Sequence, residues 1–131
     1  MQNLCPCGSG QLITNCCKPI IYGEREAKTA QELMRSRYVA FTIANVEYLM
    51  FSNYSKTRPV KDRNNIEKWA KSVQWMGLII LQTQAGEIND ETGYVEFKAH
   101  YLEDGKLQQI HENSLFRREN KRWVYVSGKH F

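Results

Sequence analysis

Every cysteine of this chain falls within its first 17 residues, in the run Leu4-Cys5-Pro6-Cys7-Gly8-Ser9-Gly10-Gln11-Leu12-Ile13-Thr14-Asn15-Cys16-Cys17. Thiols so close together cannot staple distant segments of a 131-residue chain, because any disulfide among them closes only a short local loop. Three readings stand: ordinary reduced cysteines, a redox site, or a metal site. Four thiolates make the tetrahedral all-sulfur shell that structural zinc takes, with Zn–S about 2.3 Å and no position left open for a substrate. The spacing favours metal. Gly8 and Gly10 let the backbone turn its amides toward the sulfurs just after the first pair. The adjacent Cys16 and Cys17 need a sharp turn, at the first turn or the end of a short helix. The expected ligands of one Zn²⁺ are Cys5, Cys7, Cys16 and Cys17.

The formal charge is +4, and four thiolates around one Zn²⁺ would bring it to +2, so bulk charge adds little to any affinity for nucleic acid. With 42% hydrophobic and 24% charged residues the chain lies in the globular range, which disfavours disorder and coiled coil. No apolar run approaches the roughly 20 residues of a membrane span. The stretch to Pro19 has neither the basic start nor the apolar core of a secretory signal, and the clustered thiols oppose an oxidising compartment. The expectation is a cytoplasmic protein with no membrane attachment.

The pattern Cys-x-Cys-x8-Cys-Cys with Pro6, Gly8, Ser9 and Gly10 resembles the SEC-C motif, the zinc-binding tail of the SecA translocase ATPase and an appendage of many bacterial proteins. That resemblance implies a zinc knuckle that docks on a protein partner, which for SecA means the SecB chaperone and the ribosome. A basic Lys-Lys-x-Lys run usually fills the gap between the cysteine pairs, and here the gap reads Gln11-Leu12-Ile13-Thr14-Asn15.

Beyond a connector, residues 1–24 give way to a second unit, 25–131. Thr29 followed by Glu32 is a capping box, and it predicts a helix to about Ala44 with Ala30, Leu33, Met34, Phe41 and Ala44 on one face. Asn45 caps a short helix, Val46 to Phe51, and Pro59 opens a third containing Ile66, Trp69, Ala70 and Val73. The period then changes to two. Gly77 to Thr83 is a continuous apolar run suited to a strand covered on both faces. Tyr94 to Leu102 alternates Val95, Phe97, Ala99 and Tyr101 with Glu96, Lys98 and His100. Strands from Lys106 to Arg118 and from Arg122 to Ser127 follow, with turns at Asp104-Gly105 and Glu119-Asn120. Helices first and antiparallel strands afterwards make an α+β fold.

This order resembles the nuclear transport factor 2-like fold, a cone in which three N-terminal helices pack on a curved antiparallel sheet around a cavity. The local text Leu33-Met34-Arg35-Ser36-Arg37-Tyr38-x-Ala40-Phe41, Trp75-x-Gly77-Leu78, Glu112-x-Ser114-x-Phe116 and Trp123-x-Tyr125-x-x-Gly128, together with the knuckle, resembles the uncharacterised bacterial YchJ-type family across nearly the whole chain. Longer members of that family carry a second knuckle after the cone.

Arg37 lies four residues from both Leu33 and Phe41, near the centre of the apolar face, while Arg35 points the other way. A guanidinium there must be paired or must line a pocket. Glu112 is the expected partner, since it shares a strand face with Ile110, Ser114 and Phe116. Two readings follow: a structural Arg37–Glu112 pair, or an anion or carboxylate pocket to which Tyr38 and Ser114 add hydroxyls. Cone folds host isomerases and dehydratases, but His100 and His111 alternate with core residues and should face solvent, and no Ser-His-Asp set, phosphate loop or second metal cluster is visible. Enzyme is the lesser expectation.

Basic residues gather at Lys56, Arg58, Lys61 and Arg63, and at Arg117, Arg118, Lys121 and Arg122, a pattern expected of a solvated face and edge protection. Any association with RNA or the ribosome through them would be electrostatic and salt-dependent; Trp123 and Tyr125 could stack on bases, but on a cone sheet such rings are expected in the core or the cavity wall. The outward Tyr94, Glu96, Lys98 and His100 suit a monomer or a weak homodimer. The function expected is therefore zinc binding, with the knuckle as a protein-interaction module on a cone of unknown role. The alternative is a small-molecule binding protein or enzyme using the cavity around Arg37 and Glu112.

Overall fold

A computed structural model describes residues 3–131. Four helices precede four strands: α1 Cys17–Ile21, α2 Ala30–Thr42, α3 Val46–Phe51, α4 Arg63–Ser72, then β1 Gln74–Ala85, β2 Thr92–Glu103, β3 Lys106–Glu119 and β4 Arg122–His130. The strands form one antiparallel sheet in the order β1-β2-β3-β4. Helices α2 to α4 cover one face of it, which is the α+β cone expected, with the cysteine segment placed before it.

The capping signals act as read. The Thr29 hydroxyl accepts from the Glu32 amide at 3.1 Å, and the Asn45 side chain accepts from the Tyr48 amide at 3.0 Å. Helix α2 stops at Thr42, two residues before the expected end. Ala44 takes a left-handed φ of 52°, while the amides of Ala44 and Asn45 turn back to the carbonyls of Phe41 and Ala40. This is the Schellman closure, with alanine where glycine is usual.

On β2 the alternation holds: Val95, Phe97 and Ala99 are buried and face Val39 and Ala40 of α2 within one core that also holds Phe116 and Trp123. Two expectations are corrected. Strand β1 is an edge strand covered on one face only, and Met76, Ile79 and Leu81 are exposed. Its apolar run hid this, because shifts in register after Trp75 and after Ile80 break simple alternation. The last turn sits at Asn120-Lys121, both with positive φ, one residue beyond the expected Glu119-Asn120. Glu119 stays in β3, where its carboxylate accepts from the amide and hydroxyl of Ser55. Strand β4 starts at Arg122 as expected but keeps pairing with β3 to His130, past the expected Ser127, and the additional length reaches the cavity.

Candidate functional site

The first site is the cysteine cluster. Leu4 and Leu12 form a single antiparallel bridge, the Cys5 amide donates to the Gln11 carbonyl, and Gly8 and Gly10 both sit at φ 84°, so the loop folds back on itself. Cys16 closes a turn of 3-10 helix and directly precedes α1, which accounts for two adjacent ligands reaching one point. The four Sγ atoms lie within 4.8 Å of one another, and all four residues are buried. Cys16 Sγ is 3.6 Å from Cys7 Sγ and 3.8 Å from Cys17 Sγ. A tetrahedron with Zn–S of about 2.3 Å has sulfur–sulfur edges of about 3.8 Å, so the spacing matches the shell. The Ser9 hydroxyl lies 3.2 Å from Cys16 Sγ, an outer contact of the kind that orients a ligand. Hydrogen bonds from Cys17 and Cys5 hold the Cys7 thiol low, while contacts with Cys5 and Cys7 push the Cys17 thiol up. This donor set fits a closed metal site.

The cluster is joined to the cone. Arg35, on the face of α2 opposite Arg37, donates to the Cys7 carbonyl at 2.6 Å, and Arg25 reaches the Cys16 carbonyl at 3.4 Å while it pairs with Glu32 at 3.1 Å. Ile20 and Ile21 of α1 are buried in the same core as Leu33 and Met34.

The second site is a cavity of about 260 Å³ between α2, the α3–α4 connection and the sheet, lined by all four expected residues Arg37, Tyr38, Glu112 and Ser114. One end is aromatic. Trp69 and Trp75 meet edge to face at 5.3 Å, with Tyr38 and Phe41 against Trp75 at 5.9 and 5.6 Å. Their indole nitrogens are tied off on Glu103 and on the Ala70 carbonyl, which leaves the rings as an apolar wall.

The other end is polar, and here the expected direct pair is corrected. Among the described residues no carboxylate lies within 4.0 Å of Arg37. Arg37 Nη1 donates to the Leu49 carbonyl at 2.9 Å and to the Ser52 hydroxyl at 2.7 Å, and its guanidinium lies over the Tyr125 ring at 4.7 Å. Glu112 instead accepts from Ser114 Oγ at 2.6 Å and the Tyr125 hydroxyl at 3.0 Å, and pairs with His130 Nε2 at 3.2 Å. Tyr125 thus stands between the two charges. Burial pulls the Arg37 pKa down, and the more distant Tyr125, Tyr48 and Glu112 offset this only in part. Burial, reinforced by Glu112, pushes Tyr125 up, so its phenol keeps the proton it donates. The Ser114 hydroxyl is committed to Glu112, while the Tyr38 oxygen accepts from the Gly77 backbone and its proton stays available. Glu112 fits because position 128 carries no side chain: a Cβ on Gly128 would collide with the Glu112 carboxylate.

His130 and Ser52 were not among the expected site residues, whereas Tyr125 was expected in the core or the cavity wall and lines the cavity. A β4 extended to full pairing with β3 would have signalled His130, which is the cross-strand partner of Glu112. The histidines weighed earlier lie outside the cavity: His100 meets Gln109, and His111 pairs with Glu96 and stacks on Phe131. The basic hairpin is occupied locally, with Arg118 over the Trp123 ring and bonded to the carbonyls of Ile88 and Asp90, and Arg122 bonded to the Phe51 carbonyl. Trp123 is buried and Tyr125 lines the cavity, so neither ring is offered to a base. Among the described residues no helix is long and apolar enough to cross a membrane.

Fold and site together define a cone-domain protein that carries a cysteine metal knuckle at its N-terminal end. The family model described as the YchJ middle NTF2-like domain matches residues 29–128. A UPF0225 protein of Geobacter sulfurreducens is 42% identical over 98% of this chain and 80% of its own length, and one of Photorhabdus laumondii is 42% identical over 98% and 81%. Among solved structures, a SEC-C motif containing protein from Rhodopseudomonas palustris superposes with TM-score 0.88 at 30% identity over 100% of this chain and 99% of that one. A SEC-C motif containing protein from Psychrobacter arcticus does so with TM-score 0.81 at 30% identity over 94% and 80%. The chain belongs to the YchJ-type family.

Proposed function

We propose that the chain is a zinc-binding protein in which Cys5, Cys7, Cys16 and Cys17 hold one Zn²⁺ as a structural centre, and that the knuckle so shaped is an interaction module for a protein partner. The observation that carries the zinc reading is the set of four buried sulfurs at tetrahedral spacing. A shell complete in sulfur leaves no coordination site for a substrate, so the metal supplies shape and not chemistry. The partner reading draws support from the outward rim of the knuckle, where Leu4 and Tyr22 are exposed above the fixed centre. Native mass measurement with metal analysis should find one zinc per chain, and Cys16→Ser should lose most of it, whereas Gly10→Ala should retain it. A full zinc content in Cys16→Ser would remove that ligand from the site. Capture of a defined partner by the parent, and its loss with the cysteine-free chain, tests the interaction reading.

A second reading is favoured by the cavity, which is about 260 Å³, aromatic at one end and charged at the other: the cone is a small-molecule binding domain. The outer sheet face mixes exposed Ile79, Leu81 and Tyr94 with Glu96 and Lys98, which suits a monomer or a weak dimer in the cytoplasm. Sedimentation should show the monomer at micromolar concentration. A tight dimer indifferent to salt would contradict this.

A further inference from the structure

Arg37, Tyr38, Glu112 and Ser114 all line the cavity. Ser114 gives its proton to Glu112, which also accepts from Tyr125 and lies 3.2 Å from His130 Nε2, while Tyr38 takes a hydrogen bond from the Gly77 backbone and keeps its own proton to give. Arg37 is the one cation among the four. Nη1 is occupied by the Leu49 carbonyl and the Ser52 hydroxyl, while among the described residues Nε and Nη2 have no acceptor, and the side chain lines the cavity. All its close partners are neutral: a carbonyl, a hydroxyl and a phenol ring. A side chain only 8% exposed thus carries a full positive charge with no anion beside it and one two-donor edge open.

That edge has the geometry that a carboxylate meets with two parallel hydrogen bonds. The charge of the guest is limited as well. Glu112 shares the cavity, so a second negative charge on the guest would meet repulsion, and among the described residues the lining holds no second Lys or Arg to offset it, which disfavours phosphate esters and dicarboxylates. Its body is set by the opposite end, where Phe41, Trp69 and Trp75 present rings whose polar atoms are already bonded. At about 260 Å³ the space lies below the roughly 300–1,000 Å³ of pockets for drug-sized ligands, which suits a single ring.

We propose that the cone cavity binds a small aromatic monocarboxylate, with its carboxylate on the Nε–Nη2 edge of Arg37 and its ring against Phe41, Trp69 and Trp75. The proposal rests on the small-molecule reading of the cone and adds the class of ligand. His130 and Pro59 are among the residues that line the cavity, and His130 is 69% exposed in its side chain.

The test uses the full zinc-loaded chain and the fluorescence of Trp69 and Trp75, with calorimetry as a second readout. Benzoate, phenylacetate and 3-phenylpropanoate are titrated alongside benzyl alcohol, the neutral counterpart of benzoate, and phenyl phosphate. The expected result is saturable binding of at least one acid, with benzyl alcohol about 30-fold weaker and Arg37→Met losing about the same factor while its thermal midpoint stays near that of the parent. Arg37→Lys, which keeps the charge but not the fork, should fall between the two and serves if the methionine variant does not fold. Benzyl alcohol binding as tightly as benzoate, phenyl phosphate binding more tightly, or acids binding unchanged to Arg37→Met and Arg37→Lys would overturn the ligand class and leave the cavity reading in place. Binding of none of the five probes would overturn both.

Discussion

Stripping the metal from the cluster of Cys5, Cys7, Cys16 and Cys17 is expected to unfold residues 3–23 and to lower the thermal midpoint of the cone by about 10 °C or more, while the strand signal persists at 25 °C. The sheet holds no cysteine, so its own hydrogen bonds survive. The knuckle is nonetheless wedged on α2. Its loss removes the charged hydrogen bond from Arg35 to the Cys7 carbonyl, of about 1.5–3 kcal/mol, and uncovers the surface under Ile20 and Ile21, each of about 1.5–3 kcal/mol when buried. The entropy regained by the released segment offsets part of this. Circular dichroism with and without a chelator gives the answer. Simultaneous loss of metal and sheet would show one cooperative unit, and an unchanged midpoint would show that the knuckle does not brace the cone.

Glu112→Ala is expected to cost about 3–5 kcal/mol, and Arg37→Met less than about 1 kcal/mol, although both remove a buried charge. The asymmetry follows from their partners. Removing the carboxylate orphans the Ser114 hydroxyl and the Tyr125 phenol in the interior. Removing the guanidinium takes a donor from the Leu49 carbonyl and from the Ser52 oxygen, but the Ser52 hydroxyl still donates to the Tyr48 carbonyl and lies 3.4 Å from the Leu49 carbonyl, and the change relieves a charge that burial already disfavours. In a double-mutant cycle the coupling between the two positions should be under about 1 kcal/mol. Urea unfolding measures all three variants. A coupling above about 2 kcal/mol would restore the direct pair that the structure separates, and an equal cost for both single variants would refute the asymmetry.

The parts of this molecule legible in its sequence are those governed by local chemistry. Thr29 and Asn45 announce helix starts because a side-chain oxygen three residues ahead of an orphan amide is a short-range device. The cysteine cluster is equally local, all its ligands falling within thirteen residues. Arg37 was placed inside by helical period alone, and it is inside. What period could not supply is which atoms meet. Arg37 and Glu112 come from elements 75 residues apart in sequence, and whether they touch depends on Tyr125, which occupies the space between them and binds both. The exposure of β1 and the reach of His130 were hidden for a related reason. Each depends on a strand's neighbour, for β1 through an edge position and for β4 through continued pairing with β3, and not on the strand's own text.

Gly128 and Glu112 occupy each other's space, since the volume a side chain at 128 would need is filled by the carboxylate. The two positions are therefore inherited as a unit. A descendant that gains even a methyl group at 128 must at the same step surrender the acid at 112 or swing it away from Ser114 and Tyr125. Across relatives these positions should change together or not at all, and a glycine at 128 is then a one-letter marker, readable without coordinates, of a cone whose charged end is assembled in this way.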